Sequence, residues 1–189
     1  MEGFLVSTGV VALAEIGDKT QLLALLLAAK YRKPVPIILG ILVATLLNHA
    51  VAGAVGAWLA AAIGPAAMRW ILGLSFIAMA VWMLVPDKAE DLDEAPPRFG
   101  VFIATLVAFF VVEIGDKTQI ATVALAAKYT PLAGVVLGTT FGMMLANVPA
   151  VLLGEVAARK LPMKLVHGIA AAVFLLLGIA ALLGIGSLD

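Results

Sequence analysis

Glu-Ile-Gly-Asp-Lys-Thr-Gln runs from Glu15 to Gln21, and the same seven residues run again from Glu113 to Gln119. Seven consecutive identities do not arise by chance in 189 residues. The offset is 98 residues, and it holds further along the chain without a gap. Ala28-Ala29-Lys30-Tyr31 falls on Ala126-Ala127-Lys128-Tyr129, Leu39-Gly40 on Leu137-Gly138, Gly56 on Gly154 and Phe76 on Phe174. The chain therefore reads as a tandem duplication. Its halves are residues 1–85 and 99–189, joined by a linker over 86–98.

Around the repeated segment the chain is apolar. Hydrophobic residues make up 63% and charged residues 13%, against about 25% charged in a soluble domain. The apolar residues form long blocks at 4–29, 35–63 and 66–85, then at 99–127, 132–158 and 163–186. About 20 apolar residues cross a bilayer as a helix. These blocks predict an all-α integral membrane protein of six transmembrane helices, three per half. Several blocks are longer than one span needs, which implies tilt or a break, with Gly17, Gly115 and Pro149 as candidate break points. The first block lacks a basic leader and contains Glu15 and Asp18, so it reads as a retained helix and not a cleaved signal peptide. The net charge is zero and cysteine is absent. This removes general attraction to nucleic acid, disulfides, cysteine-bound zinc and a thiol nucleophile.

The loops predict an orientation. The side opposite the N-terminus carries Lys30, Arg32, Lys33, Lys88, Arg98, Arg159, Lys160 and Lys164, and the other side only Arg69 and Lys128. The basic side faces the cytoplasm, which puts the linker inside and both termini outside. Three spans per half is odd, so the second half enters from the opposite face. The halves are then inverted repeats, an architecture that places a transport site near mid-membrane at the repeat interface.

Six ionisable residues sit at that depth: Glu15, Asp18, Lys19, Glu113, Asp116 and Lys117. Glu15 is about 11 residues into its span, roughly 16 Å at 1.5 Å per residue. A carboxylate there costs on the order of 3 kcal/mol unless it is paired, hydrated or bound to a cation. On an unbroken helix Glu15, Asp18 and Gln21 follow one another at i+3 on one stripe, and Glu113, Asp116 and Gln119 repeat it. If the first and fourth helices cross, these six oxygen-bearing side chains form a cluster suited to a hard divalent cation such as manganese or calcium. Gly17 and Gly115 leave room for close packing or local unwinding. Thr20 and Thr118 point elsewhere on an unbroken helix and rejoin the site if it breaks. The plainer reading is local salt bridging, Glu15 with Lys19 and Glu113 with Lys117, both at i+4. It leaves Asp18 and Asp116 without a role. The two readings are compatible if each lysine neutralises a carboxylate and yields to metal.

Other polar residues in spans are Thr45, Asn48, His49, Asn147 and Glu155. The repeat sets Asn147 on His49, beside Asn48. These residues can add ligands from the second and fifth helices or simply hydrogen-bond between helices. Glu155, whose counterpart is Ala57, reads as interfacial. Met143 and Met144 can offer soft sulfur to manganese, but methionine in an apolar span reads first as packing. The acidic linker reads as a solvated tether and matches no calcium-binding loop.

The doubled segment resembles the Glu-x-Gly-Asp-[Lys/Arg]-[Thr/Ser] signature of the Golgi manganese/calcium cation transporter family, which includes bacterial MneA-type manganese exporters. The resemblance covers nearly the whole chain. Glu15, Asp18, Lys19 and Thr20 match the first motif, and Glu113, Asp116, Lys117 and Thr118 the second. It implies a secondary transporter that exports manganese, or loads calcium and manganese into a compartment, in exchange for protons. The short linker resembles prokaryotic members, which implies the plasma membrane. With no cofactor or nucleotide motif, transport must run on an ion gradient. Two readings compete with it. A passive divalent-cation channel would need no counter-ion. An intramembrane aspartyl protease would pair Asp18 with Asp116, but that class has Gly in place of the motif's Glu, and the added lysines would disturb a proton-sharing pair.

Overall fold

A computed structural model describes residues 1–85, 100–153 and 163–185, and among these every regular element is a helix. In chain order they are α1 (Glu2–Glu15), α2 (Lys19–Tyr31), α3 (Pro34–Ala62), α4 (Pro65–Trp82), α5 (Gly100–Glu113), α6 (Lys117–Lys128), α7 (Leu132–Leu153) and α8 (Met163–Leu182). The acidic linker and Glu155 lie outside the described residues.

The first apolar block of each half is not one helix but two. Gly17 has φ +84° and Gly115 φ +77°, a region in which a side chain is strained. The chain turns there, so α1 ends at Glu15 and α2 restarts at Lys19, and α5 and α6 do the same 98 residues later. The stripe expected of an unbroken helix is thereby replaced by a turn. Pro149, the third candidate break, stands inside a continuous α7. Proline removes one helical bond, and a helix packed among others tolerates that loss. At the other end of α2, Arg32 takes the left-handed conformation and its N–H bonds the Ala28 carbonyl. Pro34 then opens α3 in the first turn, where its missing N–H costs nothing.

Among the described residues, three helices are individually long and apolar enough to cross a membrane: Pro34–Ala62, Leu132–Leu153 and Lys164–Leu182. The pieces of the two broken blocks are each shorter than a span. Side chains are sorted inside out relative to a soluble protein. Leu47, Val51, Trp58, Leu74, Val107, Val111, Leu137 and Leu176 face outward, whereas Glu15, Asp18, His49, Glu113, Asp116, Lys117 and Asn147 are buried. An apolar exterior suits lipid, and the charged groups are gathered within.

The halves interlock. α1 packs on α7 of the other half, and its counterpart α5 packs on α3. Glycine permits both contacts. A Cβ on Gly138 would lie 2.5 Å from the Phe4 carbonyl oxygen, and one on the equivalent Gly40 would lie 2.9 Å from that of the equivalent Phe102. α4 packs on α8, where Phe76 and its counterpart Phe174 meet with ring centroids 6.3 Å apart. Each residue of that pair touches its own repeat mate. α1 lies beside α6 and α2 beside α5.

Candidate functional site

The repeated segment builds its own turn. Glu15 closes α1, Ile16 is extended, Gly17 turns the chain, and Asp18 is the extended residue before α2. The Asp18 N–H donates to the Glu15 carbonyl at 3.0 Å, and that of Asp116 to the Glu113 carbonyl at 3.1 Å. Gln21 reaches back so that its Oε1 accepts from the Gly17 N–H at 2.9 Å, and Gln119 does the same for Gly115 at 2.7 Å. Both glutamine oxygens thus brace the turn. The threonines rejoin the acids because the helix breaks. The Thr20 hydroxyl donates to Glu15, and the Thr118 hydroxyl to Glu113 Oε2 at 3.1 Å. Asp116 caps α6 by accepting from the Thr118 N–H at 3.4 Å. The starts of α2 and α6 carry partial positive charge, which favours the carboxylates placed there.

Between the halves, the ion pairs cross. Lys19 Nζ lies 3.4 Å from Asp116 Oδ1, and Lys117 Nζ lies 3.2 Å from Asp18 Oδ1. Each lysine is paired with the aspartate of the other copy, not with the glutamate four residues before it. The local Glu–Lys pairing is therefore corrected. It presumed a continuous helix, and the glycine turn takes Glu15 and Glu113 out of i+4 register. The crossed pairs are the second place where the halves meet as mates.

All four acids are within 3% of complete burial, and Lys117 is as well, but 20% of the Lys19 side chain is exposed. Asn147 Nδ2 donates to Glu15 Oε1 at 2.9 Å and also to the Met143 carbonyl and sulfur, both at 3.1 Å. This brings Met143, for which packing was the first expectation, to the edge of the site. Gln21 Nε2 donates to the Ala146 carbonyl at 3.1 Å. Asn48 Nδ2 donates to the Phe110 carbonyl at 3.1 Å, fastening α3 to α5 one turn before Glu113.

Several buried atoms here make no hydrogen bond: Glu15 Oε2, Glu113 Oε1, Asn147 Oδ1, Thr45 Oγ1 and both ring nitrogens of His49. Leaving such atoms unmade costs about 1–3 kcal/mol each. Ionised carboxylate and amide oxygens only accept, so the natural partner for the first three is a donor or a cation. Among the described residues, no three His, Asp or Glu side chains converge as a ready metal cage. The lysine ammoniums instead stand at two of the acids, so a metal drawing on all four must displace them.

Sequence reasoning did not find the crossed pairs, or the contact of His167 Nε2 with the Ile16 carbonyl at 3.2 Å. Nothing in a linear pattern signals either, because both depend on how separate helices assemble.

The model of the family described as "Divalent cation/proton antiporter GDT1" matches residues 3–91 and again 101–187. Over 93% of its length the chain is 52% identical to a Vibrio cholerae protein named "Putative manganese exporter", of which it covers 88%. It is 27% identical over 90% of its length to "GDT1-like protein sll0615" of Synechocystis, covering 92% of it. To "Protein PAM71-homolog, chloroplastic" of Arabidopsis thaliana the identity is 28% over 97% of this chain and 60% of that one. No solved structure matches the chain.

Proposed function

Because this chain belongs to the divalent cation/proton antiporter GDT1 family, and so is a transporter and not a protease, we propose that it moves manganese out of the cytoplasm in exchange for protons. Calcium is the second candidate cargo, since both ions take oxygen ligands. The site we propose is formed by Glu15, Asp18, Glu113 and Asp116, in a six-span fold of two inverted repeats with the linker in the cytoplasm. Thr20 and Thr118 orient the glutamates. Gln21 and Gln119 hold the turns and become ligands only if they release the glycine N–H groups. Lys19 and Lys117 neutralise the aspartates between cargoes. Asn147 positions Glu15, and Asn48 fixes α3 on α5.

The observation that carries this reading is the meeting of two identical acidic turns in a buried interior, with one oxygen of each glutamate left without a donor. Metal entering from the cytoplasm displaces the lysine contacts. The halves rock, and protons from the far side neutralise the acids and release the metal. Metal and proton compete for the same oxygens, so their movements are coupled in opposite directions. The packing is unequal in a way that suits rocking: α8 leans on α1 and α4 on α6, whereas α4 on α5 and α8 on α2 pack far less.

Manganese uptake into proteoliposomes, with and without a pH gradient, tests the proposal. Uptake should follow the gradient and alkalinise the lumen in step, because each metal that enters sends protons out. Ohmic flux indifferent to protons would favour a channel. Normal transport by both Glu15→Gln and Asp116→Asn would show the site to be misplaced.

A further inference from the structure

We infer that His49 gives this site its preference for a first-row transition cation over calcium, by supplying a nitrogen ligand from α3. The inference rests on the carboxylate site proposed above and adds the class of cargo that the site selects.

Three observations lead to it. First, the repeat sets His49 on Asn147, and Asn147 is bonded directly to Glu15. The packing of α7 on α1 recurs in α3 on α5 down to matching glycine contacts, Gly138 at Phe4 and Gly40 at Phe102. Asn48, next in the chain, is bonded to Phe110, one turn before Glu113. The same register assigns His49 the place opposite Glu113. Second, His49 is completely buried and neither ring nitrogen has a partner. A neutral imidazole has one N–H to donate and one lone pair to give, so burying both unmet is costly unless a ligand takes them up. Third, Glu113 Oε1 is a buried acceptor that also lacks a donor, whereas its mate Glu15 Oε1 receives Asn147. A metal-bound histidine characteristically gives its second ring N–H to a carboxylate. Glu113 Oε1 is suited to receive it, leaving the other nitrogen's lone pair for the cation.

The chemical consequence is selectivity. Calcium takes six to eight oxygens, whereas first-row transition ions accept imidazole nitrogen as well as carboxylate. One nitrogen among oxygens disfavours calcium without excluding manganese, which binds nitrogen least strongly of that series. The effect should be moderate, about tenfold. The first half thus carries the discriminating donor, and the second half, with Asn147, a permissive one.

The test uses His49→Asn, which gives α3 the residue that α7 already carries at the equivalent position. The full-length variant is reconstituted and manganese uptake is measured against rising calcium. Manganese uptake should persist while calcium competes about tenfold better. An unchanged manganese-to-calcium ratio would overturn the assignment. An independent measurement covers a variant that folds poorly: pulsed electron paramagnetic resonance of manganese bound to the wild-type protein. Nitrogen coupling on the bound manganese is expected, and it should survive His167→Asn. Bound manganese without nitrogen coupling, or coupling lost with His167, would sink the role of His49 alone. Normal transport by the Glu15 and Asp116 variants would instead remove the site itself.

Discussion

Two stretches of seven identical residues occupy different surroundings in one molecule. In the first, Glu15 receives hydrogen bonds from Thr20 and Asn147, and Gln21 is buried against the Ala146 carbonyl. In the second, Glu113 receives Thr118 alone among its hydrogen-bonded partners, and Ile114 beside it is 59% exposed. The lysines show the reverse order: Lys117 is buried and Lys19 is partly open. The cause lies outside the motif. α8 leans on α1 and α4 on α6, on the half-helices that carry Glu15 and Lys117, whereas Gln21 on α2 is covered by α7. Local sequence shapes each turn, and the neighbours decide how much of it water or lipid can reach.

The most forceful way to break this comparison is to neutralise the glutamates one at a time. Glu15→Gln and Glu113→Gln should each lower proton-driven manganese transport on the order of 100-fold, equivalent to about 2.7 kcal/mol. Flux assays on both would show whether the halves contribute equally. If one variant keeps wild-type flux, only a single turn handles cargo.

The crossed ion pairs sharpen the contrast in stability. Asp18→Asn breaks the buried ion pair with Lys117 and should cost about 3–5 kcal/mol. Asp116→Asn breaks the more open ion pair with Lys19 and should cost roughly 1 kcal/mol. Thermal melting in detergent ranks the two. Removing Lys117 together with Asp18, as Lys117→Met with Asp18→Asn, should recover most of the loss. Equal destabilisation by both single variants would contradict the unequal burial.

The smallest effect is expected where the halves are most alike. Gly115→Ala meets no atom within 4 Å, so only its positive φ resists, at about 1 kcal/mol. Gly17→Ala meets the same conformational cost, set by φ +84°. Asn at either position should cost less than Ala, because it tolerates that region better. Melting temperatures would check this, and a much larger loss at Gly115 would mean that more than its positive φ resists a side chain there.

Much of this was legible in the chain. The duplication, the apolar blocks, the buried acids and Gly17 and Gly115 as breaks all follow from residue type and spacing, because those features are local. The partners of Lys19 and Lys117 did not follow. The i+4 rule holds within a helix, and the glycines that ended the helix also cancelled the rule. Asn147 was readable as a candidate through its correspondence with His49, but its bond to Glu15 depends on α7 crossing α1. Met143 looked like filler for the same reason. Unequal cover over equal motifs was beyond sequence altogether, since two identical strings cannot announce a difference between them.

The hooking of α1 over α7 and of α5 over α3 has a consequence for how such a molecule is made. Neither half keeps its leading helix for itself, so each interior is completed by a borrowed part. A polypeptide of only 1–85 would expose the groove meant for α5 and would find its best substitute in a second copy of itself. Covalent connection through residues 86–98 is then a convenience of supply, guaranteeing one of each half, while the grip between them is a handshake that two separate chains could perform.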